Sequence, residues 1–370
     1  MLTQAATTTT VPFLDLRPSH ESLKETLLEA FGDLIDTNAF TNGPAVAEFE
    51  GAFATYCRRE ACIGVASGLD ALRLGLLAAG LEPSDEVIVP ANTFIATLEA
   101  VSQAGGVPVI VDAGESDLNM DPDAASAAVT DRTRFLLPVH LYGQMADMRA
   151  LRELEIPIVE DACQAHGASR DGAVAGELGM AAAFSFYPGK NLGAFGDAGA
   201  LVCDNDELVT KVKALREHGQ RAKYDHELVG FTARLDTIQA IVLRWKLPLL
   251  RRWNEERRAA ARFYCEALEG VGDLELPPVA PGSDPVWHLF VIQTGDPKGL
   301  ADHLRARSIG TGFHYPEPVH LSEAYRNLGY PAGSFPVSEG AAGRVLSLPM
   351  FPGISQAQLE AVGAGVRSYF

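Results

Sequence analysis

Lysine is scarce in this sequence. Lys24, Lys190, Lys211, Lys213, Lys223, Lys246 and Lys298 are the only ones among 370 residues. Lys and Arg together number 30 against 48 Asp and Glu, giving a net charge of −18. This shortage of positive charge argues against sequence-independent DNA or RNA binding, which needs an excess of basic side chains on one face. It also argues against docking to an anionic membrane surface. An anionic small molecule stays possible, but its site needs local donors. The five cysteines (Cys57, Cys62, Cys163, Cys203, Cys265) form no CxxC pair. Neither a zinc ribbon nor a dithiol redox motif is signalled, and reduced thiols in a cytoplasmic protein are expected. No uncharged apolar run reaches the roughly 18 residues of a membrane span. The most apolar stretch, residues 61–81, is interrupted by Asp70 and Arg73. Residues 1–10 lack the basic start and apolar core of a secretory signal, and their Thr run reads as a flexible lead-in. The phosphate-binding patterns GxGxxG and GxxxxGK[ST] are both missing, which removes the main support for nicotinamide-type oxidoreductases and P-loop NTPases.

What is present is a folding composition, 47% hydrophobic and 21% charged. The length suggests two domains. Residues 86–89, 107–111, 135–139, 157–159, 182–186 and 200–203 are strand-like, several of them apolar throughout. Residues 69–77, 93–103 and 206–215 have helical periodicity. This alternation predicts an α/β domain with a mostly parallel central sheet flanked by helices. Residues 234–268 read as a long helical stretch with a break at Pro248. A loop-rich segment with Pro277, Pro278, Pro281 and Pro285 follows, then a strand at 287–294 and a helix at 300–307. The expected division is a large α/β domain with an N-terminal arm over 1–245 and a smaller α/β domain over 246–370.

Three features could carry chemistry. Lys190 follows a buried strand in a turn flanked by Phe186, Tyr187, Pro188 and Leu192. An ammonium there is costly unless paired or converted, and a desolvated lysine becomes a nucleophile able to form a Schiff base. The alternative is a turn lysine facing solvent. Secondly, the apolar run 157–159 ends in Glu160 and Asp161. Ligands gather at the carboxyl ends of parallel strands, and a carboxylate there can keep a ring nitrogen protonated. Loop capping and metal ligation are the alternatives. Thirdly, Ser67, Gly68 and Leu69 open a helix after a strand, where free N–H groups favour phosphate. An N-cap without ligand is equally compatible. The three together fit one cofactor, pyridoxal 5′-phosphate: lysine for the Schiff base, carboxylate for the pyridinium, helix start for the phosphate.

The segments 67–72, 85–94, 138–143, 160–167, 184–193 and 234–240 resemble, in order, those of the DegT/StrS-type sugar aminotransferases, and the likeness runs from about Val11 to the C-terminus. It implies the fold-type-I architecture of pyridoxal phosphate enzymes and a homodimer with shared active sites. By resemblance, Lys190 is the Schiff-base lysine and proton shuttle, and Asp161 pairs with the pyridine nitrogen. Gln164 contacts the phenolic oxygen, Ser185 with the backbone of Gly68 and Leu69 binds the phosphate, and Phe94 stacks on the ring. Thr232 stands where many members have an Asn that reaches the partner's phosphate, so that cross-subunit contact departs from the family pattern. Retention of Lys190 sets the chain apart from the dehydratase branch, in which histidine takes its place.

The implied reaction moves an amino group from L-glutamate, through pyridoxamine phosphate, to a nucleotide-linked 3-keto-6-deoxyhexose, with dTDP as the expected carrier. The Lys190 segment and His314-Tyr315-Pro316 look like the 3-keto branch. Tyr187, Lys223, Tyr224, His314 and His320 are then candidates near the sugar nucleotide, with hydrogen-bonded loop histidines as the alternative for His314 and His320. Amination at C-4, a non-nucleotide ketosugar or inosose substrate, and a regulatory protein of the same fold are the rival readings.

Overall fold

The computed structural model describes residues 9–370. The lead-in at residues 1–8 lies outside the described part. Strands β1 (Ala61–Val65), β2 (Glu86–Pro90), β3 (Val107–Val111), β4 (Thr133–Leu136), β5 (Val159–Asp161), β6 (Ala181–Ser185) and β7 (Gly199–Cys203) build the centre. They form a four-stranded sheet, β1-β7-β6-β5, and a three-stranded sheet, β3-β2-β4. Parallel bridges Leu136–Ile158 and Val139–Asp161 join the two into one layer. All neighbours are parallel except β7, which runs against both β1 and β6.

Alternate residues of each strand enter two different apolar clusters. Ile88, Leu136, Ala182 and Val202 meet Phe49 and Phe53 on one face. Val87, Val89, Phe135, Ala183 and Leu201 meet Leu72, Leu76 and Val212 on the other. Burial on both faces is why these strands read as unbroken apolar runs. Strand β5 starts two residues later than its apolar run suggests. Pro157 has no N–H for the ladder, and only its carbonyl pairs, accepting from the Leu136 N–H at 2.9 Å. As a result Glu160 and Asp161 are the last residues of the strand itself.

Among the helices are α1 (Lys24–Thr37), α2 (Pro44–Tyr56), α3 (Gly68–Ala78), α4 (Ala96–Gln103), α5 (Asp206–Arg216), α6 (Thr237–Lys246), α7 (Leu250–Leu268), α8 (Pro297–Arg305) and α9 (Gln356–Arg367). Helix α3 starts where the Ser67 side chain accepts from the Asp70 N–H at 3.0 Å, an N-cap. Its first turn is pressed onto the end of β6. A Cβ on Gly68 would lie 2.7 Å from both Cys163 Sγ and Ser185 Cβ, so only glycine fits. Helix α4 begins at Ala96 rather than Thr93, because residues 93–95 form the turn that leads into it. The break at Pro248 is present as a 3₁₀ turn, Leu247–Leu249, between α6 and α7.

Beyond α7, strands β8 (Phe290–Gln293) and β9 (Val345–Leu348) pair antiparallel. Both are shielded by α8, α9 and the C-terminal half of α7 in a cluster containing Tyr264, Phe290, Leu346 and Val362. Val11 is fully buried in that same cluster. Its N–H donates to the Ser308 carbonyl, and its own carbonyl accepts from Gly310 N–H.

Glu160 shows how the sheet fixes the end of β5. Its carboxylate accepts from His140 Nε2 (2.7 Å), Gly176 N–H (2.8 Å), Leu178 N–H (3.0 Å) and Gly179 N–H (2.5 Å). His140 Nδ1 accepts from Ala146 N–H, which puts the ring proton on Nε2. Burial alone would raise the Glu160 pKa, but the His140 and backbone donors outweigh it and hold the acid below its ordinary value. Glu160→Ala strands all these donors in a dry interior. The expected loss of unfolding free energy is about 3–5 kcal/mol by urea denaturation. A loss below about 1 kcal/mol would mean that water satisfies them.

Candidate active site

A cleft of about 530 Å³ opens at the carboxyl ends of β5 and β6. Lys190, Asp161, Gln164, Ser185, Gly68, Leu69, Phe94, Tyr187 and His314 all line it. The topology thus brings together residues separated by up to 246 positions.

Lys190 sits in the turn that leaves β6, with its N–H on the Tyr187 carbonyl at 2.8 Å. Burial lowers its pKa from the usual lysine value, while Cys163 and Asp161 pull the other way. The turn is anchored from below. The Lys246 ammonium donates to the Gly193 carbonyl (2.6 Å) and to His20 Nε2 (2.8 Å). Burial lowers the Lys246 pKa to about 8.

Asp161 is held by two donors, Thr97 Oγ1 at 2.8 Å and the Cys163 N–H at 3.2 Å. Thr97 gives its proton to the acid, so its oxygen accepts from Thr93, 2.8 Å away. This relay keeps the carboxylate pointed while leaving lone pairs for one more donor. Gln164 is oriented from both ends. Its Oε1 accepts from Tyr142 N–H (2.7 Å) and its Nε2 donates to Tyr315 Oη (3.1 Å). At the start of α3 the N–H groups of Gly68 and Leu69 have no acceptor among the described residues; Ser185 packs against Gly68, and its hydroxyl accepts from Tyr187 N–H at 3.3 Å. Phe94 is half exposed at the rim, its ring centroid 5.4 Å from that of Tyr315.

The donor set fits pyridoxal phosphate. Two free N–H groups at a helix start plus a hydroxyl suit a phosphate. A carboxylate with spare lone pairs suits a protonated ring nitrogen, and a desolvated amine suits an aldehyde carbon. Among the described residues no cluster of three His, Cys, Asp or Glu side chains could hold a metal ion.

Four expected residues lie outside this chain's own cleft. His320 is buried under the turn Val319–Leu321, where Nε2 donates to Glu339 at 3.1 Å and the ring packs edge-on against Phe335. It shapes a loop and does not reach the site. Lys223 and Tyr224 sit on an exposed hairpin, the ammonium 5.3 Å from the tyrosine ring. The Thr232 hydroxyl contacts the His218 ring at 3.3 Å. Conversely, sequence reasoning missed Thr97, Tyr142, Tyr315 and His288. His288 lines the cleft and its Nδ1 donates to Asn191 Oδ1 at 3.3 Å. The adjacency of Asn191 to Lys190 and of Tyr315 to His314 was the available signal.

Four histidines give the protein an acid-sensitive stability, among them His288, which burial first and then neighbouring charges hold well below its ordinary value. Burial foremost, with a nearby lysine charge, lowers His20 to about 4, His166 to about 3 and His314 to about 4, from 6.5. Below 6.5 the unfolded chain takes up protons that the native state refuses, so native stability falls as pH drops from about 6.5 toward 4. Urea midpoints at pH 7.5 and pH 5 test this. The pH 5 midpoint is expected to be clearly lower, and equal midpoints would contradict the buried neutral histidines.

The cleft is that of a pyridoxal phosphate enzyme, and the chain's relatives narrow the class to aminotransferases. The chain belongs to the DegT/DnrJ/EryC1/StrS aminotransferase family, whose profile matches residues 21–367. It is 47% identical over 372 residues to a dTDP-3-amino-3,4,6-trideoxy-alpha-D-glucose transaminase of Streptomyces venezuelae, covering 100% of this chain and 98% of the other. A solved structure of S. venezuelae DesV in complex with a ketimine intermediate superposes with a TM-score of 0.95 at 48% identity, covering 98% and 99% of the two chains. Bacillus subtilis NtdA with bound cofactor PMP superposes with a TM-score of 0.90 at 32% identity, covering 99% and 86%. No described helix is long and apolar enough to cross a membrane.

Proposed function

We propose that this chain transfers the amino group of L-glutamate to a nucleotide-linked 3-keto-6-deoxyhexose, giving the 3-amino sugar. The observation that carries the reading is the shared cleft of Lys190, Asp161 and the open start of α3. The regiochemistry is supported by the likeness to a dTDP-3-amino sugar transaminase.

Pyridoxal phosphate, when bound, supplies the electron sink that makes the donor's α-proton acidic. The chain supplies the rest. Gly68, Leu69 and Ser185 would hold the phosphate, and Asp161 would keep the ring nitrogen protonated. Gln164 would donate to the phenolic oxygen through the Nε2 hydrogen not spent on Tyr315. Lys190 Nζ is the proton carrier. Desolvation favours its neutral amine, which takes the α-proton of glutamate and, as ammonium, returns a proton when the keto sugar is aminated. Such a group works best with a pKa near the working pH. Tyr315 is pushed up to about 12 by burial and stays protonated, leaving its hydroxyl hydrogen to the sugar side.

We infer that a second copy completes the site. A sugar nucleotide carries a diphosphate, yet among the described residues Lys190 is the only Lys or Arg lining the cleft. The hairpin with Lys223 and Tyr224 is exposed, and Leu228 and Val229 beside it are exposed too. A homodimer would cover that apolar segment and bring Lys223 and Thr232 to the partner's cleft. The five cysteines are unpaired, which supports a cytoplasmic setting.

The test converts purified protein to its pyridoxamine form with L-glutamate, then supplies nucleotide-linked 3-keto and 4-keto sugars separately. Return of the bound cofactor's visible band with the 3-keto sugar is expected. Return with the 4-keto sugar alone would overturn the regiochemistry. Absence of any band in cofactor-supplied protein would favour the regulatory reading.

A further inference from the structure

Tyr142 touches both sides of the cleft. Its backbone lies in the left-handed region (φ 57°, ψ 6°), uncommon for a bulky residue. That conformation aims its N–H at Gln164 Oε1 (2.7 Å), while its hydroxyl donates to the His314 carbonyl (2.5 Å). Gln164 in turn donates to Tyr315 Oη (3.1 Å). Because residues 314 and 315 are neighbours, the three bonds close a ring through Tyr142, Gln164, Tyr315 and His314. The tyrosine is partly buried, and desolvation pushes its phenol pKa well up, so the hydroxyl keeps its proton and stays a donor.

The ring decides which atoms face a ligand. With Oε1 committed to the Tyr142 N–H, Gln164 must present Nε2 to the cleft. With its oxygen accepting from Gln164, Tyr315 is free to point its own proton inward. His314 Nδ1 is committed to Ser347 Oγ at 2.8 Å, leaving Nε2 as its other polar atom.

From this geometry we infer that Tyr142 is a positioning residue that sets the His314–Tyr315 segment against Gln164, coupling the sugar side of the cleft to the cofactor side. The inference rests on the reading of the cleft given above. Tyr142 is not among the residues lining the cleft; it acts through Gln164 and the His314 carbonyl.

Tyr142→Phe removes the hydroxyl and keeps the backbone bond to Gln164. The holoenzyme variant is expected to keep its visible cofactor band and to react with L-glutamate within about twofold of the parent protein. Its KM for the nucleotide-linked keto sugar should rise by about three- to tenfold, the worth of one hydrogen bond. Amide hydrogen exchange over residues 312–317 should quicken by a similar factor, with α3 unchanged. A general loss of structure would instead slow both half-reactions and lower the thermal midpoint. Unchanged exchange over 312–317, or an equal loss in both half-reactions, would overturn the inference. If the parent protein used no keto sugar at all, the functional reading would fall. The exchange measurement would still decide the role of Tyr142, because it needs no sugar.

Discussion

Lys190→Ala is expected to lower amino transfer by about 10³-fold or more, since in the proposed mechanism one substitution removes both the nucleophile and the proton carrier. The bound cofactor's visible band should shift at the same time, because the proposed covalent anchor would be lost. Lys190→Arg separates charge from chemistry. Guanidinium keeps the positive charge but does not deprotonate in proteins, so this variant should be as inactive as the alanine. A small primary amine added in solution should restore part of the activity of Lys190→Ala and none of Lys190→Arg, whose side chain still fills the position. If Lys190→Arg kept more than about a tenth of the parent rate, the lysine would be acting as a charge alone and the assigned proton transfer would be wrong.

The second large effect is expected at Asp161. Asp161→Asn keeps the shape and can still accept from Thr97 Oγ1, but it removes the negative charge that, in the proposed role, would keep the ring nitrogen protonated. Breaking a buried charge pair costs about 3–5 kcal/mol, which corresponds to roughly 10²- to 10⁴-fold in rate. Both half-reactions draw on the same electron sink, so both should slow by the same factor in single-turnover measurements. Loss of less than about tenfold would mean that the ring nitrogen is not protonated by this carboxylate. Thr97→Val offers a milder companion. It removes the donor that orients Asp161, and a smaller loss of the same symmetric kind is expected.

These two residues were legible in the sequence for a local reason. A charged side chain at or just past the end of an apolar strand is costly: Glu160 and Asp161 close the run 157–159, and Lys190 lies four residues past the run 182–186. The central strands were legible because burial on both faces makes them apolar at nearly every position, as in β2, buried throughout. Helix α1 was not. It buries only Leu27 and Leu34 against the core and leaves Leu28 and Ile35 exposed, so its apolar residues mark no single face. Nor does an apolar run give direction, and the reversal of β7 is therefore seen only in the pairing register. Thr97, Tyr142 and Tyr315 escaped for a different reason. Their partners lie 64, 22 and 151 positions away, and nothing in their immediate neighbours distinguishes them from ordinary core and loop residues. His314 and His320 show the reverse. They share a short stretch of sequence, yet one faces the cleft and the other is spent on Glu339.

The anchoring of Val11 beside Ile309 has a consequence for building hybrid enzymes. Two residues further on, Phe13 stacks on the His314 ring at 5.6 Å, and Phe13 and Leu14 form part of the cleft wall. Residues 13–14 and 314–315, about 300 positions apart, therefore shape the same cleft. A chimera that exchanges the C-terminal segment to import another sugar preference must exchange residues 9–14 with it. A transplant without them would set a foreign loop against a native Phe13, and acceptor use would suffer even though every residue of the lysine turn is unchanged.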